Sequence, residues 1–285
     1  MKQITVLSGK GGTGKTTITA SFAVLAHKLV IADCDVDAPD LHMLLHPKPI
    51  ETQEFKGPKL AEIDPTKCVE CGLCQETCRF EAITDLKVDP ILCEGCNTCT
   101  LVCPEDAISL KERISGQAYI SQTKYGLMSH ALLFAGEANS GKLVTLVRQN
   151  AGQIAEKKNC NVILIDGPPG IGCPAIASIS GIDVGVIVTE PTVSGIHDMK
   201  RVLRLLAHFN VLPLVCINKY DINKGNTQKI SGFCKKHNIN VVGKLPFDPI
   251  ITKAMVSEKT VIEYSPESIV SKNIEEMWKH VLGKV

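Results

Sequence analysis

The chain has 285 residues, with 31 Lys and Arg against 30 Asp and Glu, 44% hydrophobic residues and 4% aromatics. That is enough chain for one large or two modest domains, and a formal net charge of +1 argues against a protein that coats nucleic acid electrostatically. No apolar run reaches the roughly 18 residues of a membrane span, and MKQITVLSGKGG turns to glycine before a signal-peptide apolar stretch can form, so a cytoplasmic protein without a membrane anchor is expected.

Taken in chain order, residues 2–8 form an apolar run ending in glycines, and helical spacing follows from residue 15 to about 27. Residues 29–34 read as a second buried strand that closes in acidic side chains. A cysteine-rich stretch then intervenes before another apolar run at 126–135 and helical spacing at 140–157. Strands are expected at 161–166, 183–189, 211–218 and 239–245, separated by helix-length segments. Continuous Val, Ile and Leu runs alternating with helices predict an α/β fold, a mostly parallel sheet with helices on both faces. Residues 266–282 are amphipathic, with Ile269, Ile274, Met277, Trp278 and Val281 on the apolar side, which predicts a helix packed on that sheet. In such sheets ligands sit at the C-terminal strand ends, where the glycines and aspartates of this chain fall.

Cysteine and charge are both segregated. Of thirteen cysteines, eight fall between Cys68 and Cys103; Cys34, Cys160, Cys173, Cys216 and Cys234 are dispersed, and all but Cys173 read as packing. Residues 60–112 carry eleven acidic against four basic side chains, a net of −7, which leaves +8 for the rest. In a reducing compartment such cysteine density points to metal rather than disulfides.

The stretch Gly9, Lys10, Gly11, Gly12, Thr13, Gly14, Lys15, Thr16 fits G-x-x-x-x-G-K-[ST] between a strand and a helix, with Thr17 next. Glycines let successive N–H groups curl around phosphate oxygens, and the helix start adds its positive dipole end. Lys15 would reach the β- and γ-phosphates and the Thr16 hydroxyl a Mg²⁺. Asp33, Asp35, Asp37 and Asp40 follow the second strand, and Asp166 ends the strand at 161–166 before Gly-Pro-Pro-Gly170. Carboxylates there suit metal binding or orientation of water, although Asp33, Asp37 and Asp40 fit helix caps or solvated loop positions equally.

The form of the loop, with Lys10 ahead of Lys15, resembles the deviant Walker A motif of the MinD/ParA/nitrogenase iron protein class of P-loop ATPases. The resemblance implies ATP/ADP and Mg²⁺ as cofactors and a nucleotide-dependent homodimer in which Lys10 reaches the partner's nucleotide. It implies Lys10, Lys15, Asp35 and Asp166 as catalytic residues, with Asp35 orienting the attacking water, and Thr16, Asp35 and Asp166 around Mg²⁺. Asn218 and Lys219, with Pro246 and Asp248 nearby, would contact adenine; because Asn218-Lys-Tyr-Asp221 also matches the guanine-reading N-K-x-D pattern, GTP stays open. Asp221 alternatively reads as a helix N-cap.

Cys68-x-x-Cys71-x-x-Cys74-x-x-x-Cys78 recurs 25 residues later as Cys93-x-x-Cys96-x-x-Cys99-x-x-x-Cys103-Pro104, and Ala82-Ile83-Thr84 recurs as Ala107-Ile108-Ser109. The duplicated spacing resembles the bacterial two-cluster ferredoxins, in which the fourth cysteine of each run ligates the other cluster. Carried over, one [4Fe–4S] cluster falls to Cys68, Cys71, Cys74 and Cys103 and the other to Cys78, Cys93, Cys96 and Cys99. Arg79 replaces the usual proline after the first run. Zinc, which also accepts four thiolates, is the other reading of such runs. The expected organisation is a P-loop domain of residues 1–59 and 113–285, interrupted by a small α+β ferredoxin-like domain at 60–112.

Cys173 follows Asp166 by seven residues, the offset at which the nitrogenase iron protein carries a cluster-bridging cysteine. That protein uses a second cysteine, and none lies between residues 119 and 159 here, so Cys173 is either a transient ligand or a small buried residue at a helix start. Glu137–Lys142 reads as an interface loop or a capped helix start. The leading functional expectation is an ATPase that couples nucleotide-dependent dimerisation to electron transfer toward a redox partner. An iron–sulfur assembly or carrier ATPase of the Mrp type, whose C-P-x-C motif this chain lacks, and a non-catalytic redox-sensing scaffold or partitioning switch are the alternatives.

Overall fold

The computed structural model describes residues 1–26, 28–137 and 141–284. In chain order the elements are β1 (Lys2–Ser8), α1 (Lys15–Leu25), β2 (Leu29–Asp33), α2 (Leu41–Leu45), β3 (Lys48–Lys56) and β4 (Leu60–Ile63). The cysteine-rich stretch holds α3 (Leu73–Thr77), β5 (Ile83–Thr84), β6 (Lys87–Val88), α4 (Thr98–Val102) and β7 (Ile108–Lys111). Then come β8 (Ile114–Gln122), β9 (Leu127–Leu133), α5 (Lys142–Lys157), β10 (Val162–Pro169), α6 (Cys173–Ile179), β11 (Val184–Thr189) and α7 (Val193–His208). The chain finishes with β12 (Leu212–Asn218), α8 (Lys224–Lys236), β13 (Asn240–Leu245), α9 (Ile250–Val256), α10 (Val261–Tyr264) and α11 (Ile269–Leu282). It divides into two compact units, one of residues 1–52, 118–131 and 139–285, the other of residues 53–117 and 132–138.

The first unit is built on the sheet order β13-β12-β11-β1-β10-β2-β9, which β8 and β3 continue to nine strands. From β13 to β9 every neighbouring pair is parallel, as the unbroken apolar runs require. Because side chains alternate across a strand, one face of β1 and β10 sends Ile4, Val6 and Leu164 into a core with Ile18 and Phe22 of α1 and Ile274, Met277 and Trp278 of α11. The alternate residues Leu7, Ile163 and Ile165 are buried too, with α5, α6 and α7 packing on β2, β10 and β11. The fold is therefore an α/β P-loop NTPase with a mostly parallel sheet.

Several local expectations are corrected. Ile269 is 65% exposed: it opens α11, and the buried face runs instead through the next residue, Val270, and on through Ile274. Asp221 caps no helix: Asn223 accepts from the Asn226 N–H at the start of α8, and Asp221 instead accepts from the Phe247 N–H at 2.7 Å. Strands β3 and β8 were not anticipated. Nearly all of β3 is exposed, and β8 buries Ser115, Gly116, Ala118 and Ser121, so neither carries a hydrophobic period. Cys34, Cys216 and Cys234 are buried as expected of packing residues, whereas Cys160 is only half-buried. The expected helix end near His27, the helix start at Ser140 and the middle of the Glu137–Lys142 motif lie outside the described residues.

The second unit repeats itself under a shift of 25 residues. Helix α3 recurs as α4, each preceded by a left-handed residue, Gly72 at φ 77° and Asn97 at φ 70°. Strand β5 pairs antiparallel with β6 through Ile83 and Val88, and β4 pairs antiparallel with β7 through Ile63 and Ile108. The N–H of Asp64 donates to the Ala107 carbonyl at 2.8 Å, and that of Asp89 to the Ala82 carbonyl at 2.7 Å. Each half-repeat thus completes a two-stranded pair with equivalent residues, which is a pseudo-twofold arrangement.

Candidate functional site

Strand β1 ends at Ser8, whose hydroxyl donates to the Lys10 carbonyl at 2.8 Å and starts the turn into the glycine loop. Gly14, at φ 91°, is the left-handed residue before α1, and a Cβ there would lie 2.5 Å from the Asn218 Nδ2. That close approach lets the Asn218 amide donate to the Thr13 carbonyl at 2.8 Å, tying the end of β12 to the loop. A Cβ on Gly9 would fall 2.3 Å from the Cβ of Asp198 on α7, so only glycine fits between loop and helix.

Next to the loop, β10 and β2 align Asp166 with Asp33, and the Cys34 N–H donates to the Asp166 carbonyl at 2.9 Å. The Lys15 ammonium donates to Asp35 Oδ2 and to Asp166 Oδ1, both at 3.2 Å. The Thr16 hydroxyl donates to Asp166 Oδ2 at 2.8 Å and the Thr19 hydroxyl to Asp166 Oδ1 at 2.9 Å. Two carboxylates therefore share one buried ammonium, with the charge of Asp33 close by. Burial alone would lower the Lys15 pKa, but Asp166, Asp35 and Asp33 outweigh it and the shift is upward. Burial, then the charge of Asp166, pushes the Asp33 carboxyl well up, and burial raises Asp35 despite Lys15. Excess buried carboxylate of this kind favours a further cation.

A cavity of about 540 Å³ opens over this cluster, lined on its phosphate side by Gly11, Gly12, Thr13, Gly14, Lys15, Thr16 and Thr17. Asp35, Asp37 and Asp40 close one wall, Pro168, Pro169, Gly172 and Pro174 another, and Asn218, Lys219, Phe247, Asp248 and Met255 the far end. The size suits a nucleotide-sized ligand. Thr13 Oγ1 and Asp33 Oδ2 are buried without a hydrogen-bond partner among the described residues. Thr13 lines the cavity, and its unsatisfied hydroxyl fits a ligand that brings its own donors and acceptors; Asp33 lies behind the lining.

Most of the expected nucleotide residues thus converge. Pro246 does not line the cavity, whereas its neighbours Leu245 and Phe247 do. Gly9 and Lys10 lie outside the lining as well. The Lys10 ammonium sits 3.4 Å from the Ser194 hydroxyl and 3.5 Å from Glu190 Oε2, and Glu190 Oε1 accepts from Lys219 Nζ at 2.6 Å. Among the described residues no group of three His, Cys, Asp or Glu side chains is set to hold a metal ion, and at the Thr16, Asp35 and Asp166 trio the Lys15 ammonium lies between the carboxylates. Cys173 is exposed at the first residue of α6, outside the cavity although both its neighbours line it. Thr19, Glu190 and Phe247 belong to no motif; the signals for them were a hydroxyl one turn after Lys15 and an acid at the end of β11.

In the second unit the eight cysteines sort into two cavities. Cys68, Cys71, Cys74 and Cys103 line one together with Val69, Leu73 and Leu86. Cys78, Cys93, Cys96 and Cys99 line the other with Ala61, Glu94 and Thr98. Each cavity takes three cysteines from one run and the fourth from the other. The Ala82 N–H donates to Cys78 Sγ at 3.4 Å and the Ala107 N–H to Cys103 Sγ at 3.3 Å. Four thiols around an apolar hollow with an N–H donor on one sulfur have the donor chemistry of an iron–sulfur site, although no three of them are set to hold a single metal ion. No helix among the described residues is long and apolar enough to cross a membrane.

Known proteins place this geometry in context. An uncharacterized protein of Methanocaldococcus jannaschii is 34% identical over 97% of this chain and 95% of its own length. An iron-sulfur cluster carrier protein of Pyrococcus horikoshii is 24% identical, over 86% of this chain and 74% of its own. The solved structure of the septum site-determining protein MinD of Pyrococcus horikoshii, complexed with Mg-ADP, has a TM-score of 0.62 at 19% identity, covering 98% of this chain and 95% of that one, a likeness of fold. The CobQ/CobB/MinD/ParA nucleotide binding domain matches residues 4–261, the greater part of the sequence, and the chain belongs to that family.

Proposed function

We propose that this protein is a Mg²⁺-dependent ATPase whose nucleotide cycle serves two [4Fe–4S] clusters held in an inserted ferredoxin-like domain at residues 60–112. The observation that carries the reading is the pairing, in one chain, of a phosphate loop whose Lys15 and Thr16 donate to Asp166 with two cavities that each gather four cysteines. The family of the chain and the Mg-ADP complex of its structural neighbour MinD support the nucleotide half.

Residues Gly11–Thr17 cradle the phosphates through backbone N–H groups. Lys15 turns from the carboxylates to the β- and γ-phosphates, which frees Asp166 and Thr16 to hold Mg²⁺, and Asp35 orients the attacking water. ATP is favoured over GTP because the Asp221 carboxylate, which would read guanine, accepts from the Phe247 N–H and lies outside the cavity. Lys10 leaves Glu190 and reaches the nucleotide of a second copy, making the active form a nucleotide-dependent homodimer. The clusters supply one-electron chemistry, with Cys68, Cys71, Cys74 and Cys103 holding one and Cys78, Cys93, Cys96 and Cys99 the other. Electron transfer to a redox partner is the primary reading, and the acidic cysteine stretch suits a basic docking face. The carrier protein among its relatives supports cluster delivery as the second reading.

Anaerobically reconstituted protein tests both halves. Wild type is expected to bind eight irons and hydrolyse ATP with Mg²⁺, and Lys15→Ala to lose roughly 10²–10³-fold in rate with iron unchanged. ATP-stimulated loss of iron to an apo-acceptor would select delivery. Protein that holds no iron and sulfide would sink the proposal.

A further inference from the structure

Under the 25-residue shift the two four-cysteine cavities are not equal. Cys71 corresponds to Cys96, and the two residues after each are Gly72 and Leu73 in one cavity, Asn97 and Thr98 in the other. The Thr98 hydroxyl lies 3.3 Å from Cys96 Sγ, close enough to donate to it. Leu73, at the equivalent place, has no donor to offer Cys71. The remaining wall shows no single trend: Val69 stands opposite Glu94, but Glu105 stands opposite Phe80.

A hydrogen bond to a ligating thiolate stabilises the more negative, reduced state of a cluster and raises its reduction potential. Nearby charge is the competing effect. Glu94 lines the cavity of Cys96, but Glu105 lines the cavity of Cys71, and both side chains are exposed. One glutamate on each side, screened by water, leaves little net bias. Two backbone donors are matched, Ala82 to Cys78 and Ala107 to Cys103. Residue 98 is the difference: its backbone N–H and its hydroxyl both act on Cys96, and the hydroxyl is the side-chain donor that Leu73 lacks.

We infer that Thr98, by donating to Cys96 Sγ where Leu73 offers Cys71 nothing, sets the cavity of Cys78, Cys93, Cys96 and Cys99 at a higher reduction potential than its pseudo-twofold mate. This rests on the reading that each cavity holds a [4Fe–4S] group. Thr98 is a tuning residue: it alters what the sulfur ligand does and takes no other part.

The test is an anaerobic potentiometric titration of the full chain, followed by electron paramagnetic resonance of the reduced protein, with iron and sulfide counted for every variant. Wild type is expected to titrate in two separate one-electron steps. Thr98→Val should move the upper step to lower potential and leave the other in place, and Thr98→Ser should restore it. Leu73→Thr, at an exposed position, should raise the lower step and narrow the gap. With eight irons bound, two unmoved midpoints in Thr98→Val and Leu73→Thr, or equal shifts of both steps, would overturn the inference. Wild-type protein without iron and sulfide would instead remove the reading beneath it.

Discussion

In the sheet unit Phe22, Ile31, Leu164 and Trp278 belong to one continuous buried core, with the Phe22 and Trp278 rings 4.8 Å apart. In the cysteine unit the corresponding cluster is Ala61, Cys74, Ile83 and Ile108, packed with half-buried Cys78, Cys93, Cys99 and Cys103. The first can be held by hydrophobic burial, at roughly 25 cal/mol per Å² of apolar surface. The second cluster is far smaller, and five of the eleven side chains in and against it are thiols, with Ile63, Val88 and Leu110 among the rest. The difference teaches that one chain combines a unit with a continuous apolar core and a unit with a small core rimmed by thiols, where the proposed clusters would add their own. The same contrast separates their chemistry: buried carboxylates and a lysine gather beside the phosphate loop in one, and thiols gather in two hollows in the other.

The sharpest way to break the comparison is to remove the metal side. Cys74→Ser, or iron chelation of the wild type, is expected to abolish the ordered cysteine unit and expose residues 60–112 to limited proteolysis, while nucleotide binding survives. A variant that kept protease resistance without iron would mean the cysteine unit folds on its own packing. Next in size, Trp278→Ala should cost about 3–5 kcal/mol in denaturant unfolding, as a large cavity in a continuous core does. Ile83→Ala in the cysteine unit should leave that main transition in place and appear as faster loss of iron; a shift of the main transition equal to that of Trp278→Ala would merge the two units into one cooperative block.

The smallest effect sharpens the electrostatic side. Asp33 has its folded-state pKa raised by burial and then by Asp166, so the native state holds a proton that the unfolded chain releases. Stability therefore falls as pH rises from the ordinary carboxylate range through the raised value. Without nucleotide and Mg²⁺, Asp33→Asn should melt above wild type at pH 8, with the gap closing as pH falls below 4, where the unfolded carboxyl is protonated too. A gap that stayed constant across that range in thermal melts would remove the carboxyl as its cause.

Much of this molecule was legible because it is written in local or periodic signals. The strands at 161–166 and 183–189 emerge as β10 and β11 because parallel strands buried on both faces need unbroken apolar runs. The amphipathic spacing that places Ile274, Met277, Trp278 and Val281 on one side gives the buried face of α11. By contrast, β3 and β8 are held by their sheet neighbours rather than by a burial pattern of their own, and propensity is a poor guide there. Asp221 misled because a strand-end aspartate suits a cap, a base-reading position and a backbone acceptor alike; the position of Phe247 chose the last. Pro246 misses the cavity that Leu245 and Phe247 line, because which residue faces a cavity after a strand depends on how the chain leaves the sheet.

By itself, then, the amino-acid order determined a phosphate loop between strand and helix, an alternation that demands a doubly covered parallel sheet, and a cysteine pattern repeated at 25 residues. These are statements about neighbours in the chain, where backbone geometry and side-chain period act directly. Tertiary structure alone decided that Thr19 joins Lys15 on Asp166, that Glu190 holds Lys10 beside Lys219, and that Thr98 but not Leu73 reaches a sulfur. The first two depend on parallel crossovers that bring residues more than a hundred positions apart to one sheet edge. The last depends on two copies of one local pattern having diverged at several positions, of which the pair Leu73 and Thr98 changes what a cysteine sulfur meets once both are folded.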